Sequence, residues 1–347
     1  MTIYKRLLLG AMTALIFITL TSENSKLNAL NNSQKDTLAQ QTMTQNQVDE
    51  APNLTASEVE AIAAQTTVVI AIGLQKGDIE KQIQLQESGS GAIVAKRGKT
   101  YYVVTNLHVV HRRGGIYGVY TYDGEVHPVD DQNKNSNIYV FGKEQGEGQN
   151  VTINGFDLAI IQFDSDKNYP LAPINLSKVT QGNPAYVSGW PVPQNKSPRR
   201  ERRFSSGKVI EVKASPSSDG GYSLSYSSVT QPGMSGGPVF NAKGKVFGIH
   251  GRGTDVEYLG ILVDHLMTQA ENARKNGLFP RDLTFNFAPT SPQIIKAGIP
   301  ENRPKSADVI NNFYKSFNIE FKRSGTRDCP SGGSRTVLLG GKDERCD

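Results

Sequence analysis

A serine, a histidine and an aspartate, far apart in the chain, are the residues with the chemistry to matter. In Val229-Thr-Gln-Pro-Gly-Met-Ser-Gly-Gly-Pro-Val-Phe240, Ser235 stands among glycines and prolines just ahead of an apolar run. Gly233 lets the backbone bend until the amides of Gly233 and Ser235 face one point, an arrangement suited to an oxyanion. Pro238 stiffens the exit into the next strand. Acyl transfer by serine also needs a base beside the hydroxyl and a carboxylate to orient that base. His108, in Thr105-Asn-Leu-His-Val-Val110, follows a predicted strand at Tyr101–Thr105. Asp157 begins a strand-like run, Asp157-Leu-Ala-Ile-Ile-Gln-Phe163, that would hold its carboxylate at a barrel edge. Each has a plainer reading alone: a surface or core histidine, a turn aspartate, a glycine-rich loop. The argument rests on the set.

Those side chains need a scaffold, and the chain is long enough to build one. It has 347 residues, 37% of them hydrophobic, enough for two packed units with appendages. Thr55-Ala-Ser-Glu58 has capping-box spacing and predicts a short helix. Thr67–Ile72 has strand composition, and Gly91–Ala95 with Tyr101–Thr105 flank a turn at Lys96-Arg-Gly-Lys99, which predicts a hairpin. Further short apolar runs recur at Asp157–Phe163, Ala185–Gly189, Gly207–Val212, Tyr222–Tyr226, Pro238–Phe240 and Val246–His250. Many short strands between turns predict an all-β sandwich or a pair of barrels, with a helical pattern over Val263–Asn276 closing the unit. No internal repeat is present.

The set His108, Asp157, Ser235, in that order, resembles the chymotrypsin-like (trypsin-like) serine peptidases. The resemblance spans about Thr66 to Asn276 and includes Ser188-Gly-Trp190 and Gly248-Ile-His-Gly251. It implies two antiparallel β-barrels with a C-terminal helix and a site in the cleft between them. His108 and Asp157 would come from the first barrel, Ser235 from the second, and the oxyanion hole from the amides of Gly233 and Ser235. Two departures matter. Met234 stands where digestive members carry an Asp that receives a new N-terminal ammonium, so activation by that ion pair is not expected. Val109 replaces the half-cystine that follows their catalytic histidine.

Specificity for Arg or Lys of the digestive kind would need an Asp six residues before the nucleophile, where Val229 stands. Thr230 and His250 instead match the pocket Thr and His of the V8-like glutamyl endopeptidases. A hydroxyl and an imidazole can hydrogen-bond a substrate carboxylate, more strongly if the imidazole is charged. The expected function is therefore a serine endopeptidase cutting after Glu, with Asp as the second acidic candidate. The alternatives are small-apolar or broad specificity, or a non-catalytic binding protein on the same scaffold. HtrA-like peptidases share the Gly-x-Ser-Gly-Gly-Pro stretch, but the tail has no evident carboxylate-binding loop of a PDZ module.

Lys5 and Arg6 precede the uncharged run Leu7 to Leu20, short for a bilayer span and suited to an export signal. The expected organisation is a signal peptide at 1–29 and a polar linker or pro-segment at 30–54. A first barrel with helical lead-in occupies 55–175, a second barrel with its closing helix 176–276, and a C-terminal extension 277–347. That extension holds a helical stretch near Ala307–Phe317 and both cysteines, Cys329 and Cys346. A protein or peptide is the expected partner, in an extracytoplasmic (secreted or periplasmic) location, with no membrane span once the leader is cut. The formal net charge of +5 is modest and spread widely, so nucleic acid is not expected. Arg199-Arg-Glu-Arg-Arg203 reads as an exposed basic loop. His111, His127 and His265 lack metal-ligand spacing and read as surface residues; no metal or cofactor is expected.

Overall fold

The computed structural model describes residues 52–297, apart from 84, 86, 113, 131–136, 147–150, 194–199, 254–256 and 289–291. The export signal, most of the polar linker, the Ala307–Phe317 helix and both cysteines lie outside the described residues.

The first described element is helix α1 (Ala56–Thr66), entered through the expected capping box. The Thr55 hydroxyl accepts from the Glu58 amide at 3.3 Å, and Glu58 accepts from the Thr55 amide at 2.7 Å. Val59, Ile62 and Ala63 give the helix its buried face. Then β1 (Thr67–Ile72), β2 (Ser88–Arg97), β3 (Thr100–Thr105), β4 (Ile116–Tyr120), β5 (Val126–Asp130), β6 (Ile138–Gln145) and β7 (Thr152–Asp164) form one antiparallel sheet in the order β5-β4-β1-β2-β3-β7-β6. The second set, β8 (Pro184–Gly189), β9 (Arg203–Val212), β10 (Leu224–Tyr226), β11 (Pro238–Phe240), β12 (Val246–Gly253) and β13 (Tyr258–Leu262), closes into a barrel. Helix α2 (Val263–Lys275) follows directly.

Among the described residues only the second unit closes by hydrogen bonds; the first is a half-barrel with β5 and β6 as its edges. Pro128 in β5 cannot donate to a further ladder, which suits an edge strand. Side chains complete the closure instead. His127 of β5 stacks on Phe163 of β7 at 4.5 Å between ring centroids, and its Nε2 meets the Tyr169 hydroxyl at 2.9 Å. His127 is thus a buried core residue rather than the expected surface one. His265 is likewise no free surface group, since its ring stacks on Phe156.

The two units share a core. Ala92, Val94, Tyr102 and Ile160 from the first sheet pack in one cluster with Phe240, Ile249 and Ile261 from the barrel and with the faces of α1 and α2. Phe279, Leu283 and Phe285, beyond α2, join the same cluster. The Asn286 amide donates to Val94 and its carbonyl accepts from Ile174, so this segment runs back onto β2. A short helix α3 (Pro292–Ala297) then meets α1, where Gln65 donates to the Ile294 carbonyl at 2.9 Å.

The expected exposed basic loop is largely interior. Arg199 lies outside the described residues, but Arg200 and Arg202 are only 5% and 7% exposed. Arg202 pairs with Glu60 of α1 at 3.0 Å, tying the lead-in helix to the barrel. Arg200 donates to Ser88 Oγ at 2.7 Å and to the Trp190 carbonyl at 3.0 Å, and burial pulls its pKa down to about 10. Apolar stems and local acceptors draw these guanidinium groups inward.

Candidate active site

His108 sits in a 3-10 turn, Leu107–Val109, immediately after β3. Leu107 and Val109 are buried on either side of it, so the turn is anchored while the imidazole stays one-third exposed. Its Nδ1 lies 2.7 Å from Asp157 Oδ2, and its backbone amide donates to Asp157 Oδ1 at 3.0 Å. Asp157 lies within β7 rather than at the strand's beginning, because β7 extends back to Thr152, and it is fully buried. Burial alone would raise its pKa; hydrogen bonds and charge from His108, joined by Tyr222, outweigh that and hold it below the ordinary value. Asn106 adds a bond to the Asp157 carbonyl at 2.7 Å.

Ser235 belongs to the loop entering β11 and is held against the first sheet. Its carbonyl accepts from the Ser90 amide at 2.8 Å, and Thr105, at the end of β3, donates to the Ser90 carbonyl at 2.7 Å. Gly236 is required here: a Cβ would lie 2.2 Å from both the Ser90 carbonyl and the Thr105 hydroxyl. The serine loop therefore abuts the strand end from which His108 follows. In the described rotamer Ser235 Oγ donates to the Gly251 carbonyl at 3.0 Å.

Gly233 has φ +92°, a conformation other residues rarely adopt. The amides of Met234, Gly236 and Gly237 are all bonded internally, whereas among the described residues those of Gly233 and Ser235 have no acceptor. Two unpaired donors beside a serine hydroxyl are what an oxyanion hole supplies. Met234, the departure from the digestive pattern, is buried in the barrel core with Val187, Val239 and Phe247.

Thr230 and His250, the two residues expected to receive an acidic side chain, make no hydrogen bond to each other. Thr230 is half-buried, its hydroxyl 3.7 Å from where a Cβ on Gly253 would stand, and has no hydrogen-bond partner among the described residues. His250, on β12, is 2% exposed, with Nδ1 2.6 Å from the Tyr226 hydroxyl. Burial is the main force that lowers its pKa to about 3. Burial thus favours the neutral imidazole over the charged form near neutral pH.

Three residues near the dyad carry no motif. Tyr222 donates to Asp157 at 2.5 Å, and Arg252 and Asp219 form an ion pair beside it. The link from Tyr222 to Asp157 crosses 65 positions and joins the two units, so no local spacing encodes it. Among the described residues no group of three or more His, Cys, Asp or Glu side chains is placed to hold a metal ion.

The family profile of the trypsin-like peptidase domain matches residues 89–249, a span that contains His108, Asp157 and Ser235. Residues 89–249 are thus similar to the trypsin-like peptidase domain, and the half-barrel and barrel are consistent with the chymotrypsin-like two-barrel fold. Its relatives include a glutamyl endopeptidase of Staphylococcus epidermidis, 31% identical over 180 residues, which cover 49% of this chain and 56% of that protein. A serine protease Do-like HtrA of Lactococcus lactis subsp. cremoris is 26% identical over 175 residues, or 48% of this chain and 37% of that one. The chain thus spans about half the length of the glutamyl endopeptidase it matches, and less of the HtrA protein.

Proposed function

We propose that this protein is a secreted or periplasmic serine endopeptidase that cuts peptide bonds after Glu, and secondarily Asp, through Ser235, His108 and Asp157. The observation that carries the reading is the His108–Asp157 pair, a buried carboxylate bonded to both the ring and the amide of one histidine, beside the two unpaired amides of the serine loop. With Nδ1 committed to Asp157, Nε2 is the atom left to act as base. Rotation about the Ser235 Cα–Cβ bond redirects its hydroxyl from Gly251 to His108. Nε2 takes the proton as Oγ attacks the substrate carbonyl, and the Gly233 and Ser235 amides bind the oxyanion. The imidazolium then protonates the leaving amine, and water repeats the cycle on the acyl-enzyme.

The acidic preference is supported by Thr230 and His250 and by the likeness to the staphylococcal glutamyl endopeptidase. A neutral His250 still serves: when Tyr226 donates to Nδ1, Nε2 carries the hydrogen and can donate to a substrate carboxylate. The absence of a charged imidazole also favours a second reading, broad or small-apolar specificity. Export is supported by Lys5 and Arg6 ahead of Leu7 to Leu20.

Cleavage-site mapping by mass spectrometry on a mixed peptide library, with Ser235→Ala as control and N-terminal sequencing of the active form, tests this reading. Cuts after Glu that vanish in the control are expected. Cuts after apolar residues would keep the peptidase and remove the acidic pocket. A correctly processed chain that neither cuts nor reacts with a fluorophosphonate would sink the enzyme reading altogether.

A further inference from the structure

Asp157 is held from two directions. The first unit supplies the His108 ring and amide; the second supplies Tyr222, whose hydroxyl donates at 2.5 Å to Oδ2, the same oxygen that faces His108 Nδ1. Tyr222 is only 4% exposed, so its hydroxyl has little access to water as an alternative partner. The ring is wedged in place. A Cβ on Gly251 would stand 2.4 to 2.9 Å from ring and hydroxyl atoms of Tyr222, and the Arg252 guanidinium lies 4.8 Å from the ring centroid. Arg252 is in turn fixed by Asp219 at 2.5 and 3.2 Å. The same loop grips the strand that carries the aspartate. Asp219 accepts from the Ile153 amide at 2.8 Å, and Gly220 accepts from the Asp157 amide at 2.9 Å and donates to the Ile153 carbonyl at 2.8 Å.

We propose that Tyr222 is a positioning residue of the active site, reaching across from the second unit to fix Oδ2 of Asp157 against His108. The proposal rests on the triad assignment above. Two donors on one oxygen stop the carboxylate from rotating and share its charge between them. Gly251 follows from this arrangement, because a side chain there would displace the ring. Tyr222 thus links the strand that carries His250 and Arg252 to the carboxylate on the other side of the cleft.

Tyr222→Phe keeps the ring and removes only the donor. The expected result is a kcat lower by about tenfold, the scale of one hydrogen bond to a charged group, with KM changed by less than about twofold. The acid limb of kcat/KM should move to higher pH, because a carboxylate freed of its second donor holds the imidazolium more firmly. His111, His250, Asp219 and Arg252, the other charged or titratable groups around the pair, are unchanged in this variant. The low-field proton resonance of the His108–Asp157 hydrogen bond should also move downfield, a readout that needs no turnover. Gly251→Ala, which pushes the ring off its seat, should reproduce the kcat loss. An unchanged kcat, or a fall in kcat with the acid limb and the resonance both unmoved, would reduce Tyr222 to packing and overturn the proposal. A wild-type chain that fails to react with a fluorophosphonate while the resonance still moves would instead overturn the role of Ser235 and leave the contact standing.

Discussion

His108 leaves a third of its side chain open to solvent and turns Nδ1 to a buried carboxylate; His250 is almost fully buried and turns the same ring atom to a neutral phenol. Both stand near Ser235, one after a strand of the first unit and the other within a strand of the second. An imidazole that must accept and return a proton needs a charge-stabilising partner and room for substrate on the other side. One that must only donate a hydrogen bond is better kept neutral and rigid, and burial among apolar side chains does that. On the roles proposed above, environment rather than residue type separates a base from a binding group.

The sharpest way to break this contrast is to remove the carboxylate. Asp157→Asn should lower kcat by about ten-thousandfold while the chain still folds, because the amide cannot hold the imidazole in the productive tautomer. The measurement is kcat on a peptide cut by the wild type, with circular dichroism to check the fold. A loss below about tenfold would mean that His108 does not act with Asp157. His250→Gln should have a far smaller effect, confined to specificity. It should reduce the preference for Glu over Gln peptides by about 10- to 100-fold, the range of one buried donor to a charged group. Because burial lowers the pKa of His250 to about 3, the wild-type preference should stay level from pH 5 to 8. A preference that decays through pH 6 to 7 would mean that a protonated His250 carries it.

Much of this contrast could be read along the chain, for physical reasons that differ by residue. Strands with both faces buried, such as Thr67–Ile72 and Pro238–Phe240, are continuous apolar runs and were legible. The helix at Ala56 announced itself through Thr55 and Glu58. Strands at Ile116–Tyr120, Val126–Asp130, Ile138–Gln145 and Tyr258–Leu262 were not read, since a glycine or proline interrupts each and mimics a turn. The order of His108, Asp157 and Ser235 could be read because chemistry restricts the residue types. Burial of Arg200, Arg202 and His127 could not, because it depends on partners far away in the chain, Ser88, Glu60 and Phe163. The Tyr222–Asp157 bond was hidden for the same reason.

The smallest effect concerns stability, and it reads the burial of His250 directly. A histidine has an ordinary pKa of 6.5, and the folded chain holds His250 at about 3. Between those values the unfolded chain binds a proton that the folded chain refuses, so stability must fall as pH drops. The contribution is fully present above about pH 6.5 and is lost progressively down to about 3, at no more than about 1.4 kcal/mol per pH unit. His127 and His265 are lowered in the same direction by burial and add to the wild-type slope. Asp157 is held below its ordinary 3.8 and contributes in the same sense only at lower pH. Comparing His250→Gln with the wild type from pH 6.5 to 4.5 therefore isolates His250. Urea midpoints should fall more gently with acid in the variant, whatever the offset between the two proteins at pH 7. Parallel lines would mean that His250 takes up its proton in the folded state as readily as in the unfolded one, and the difference between the two histidines would shrink to their hydrogen-bond partners.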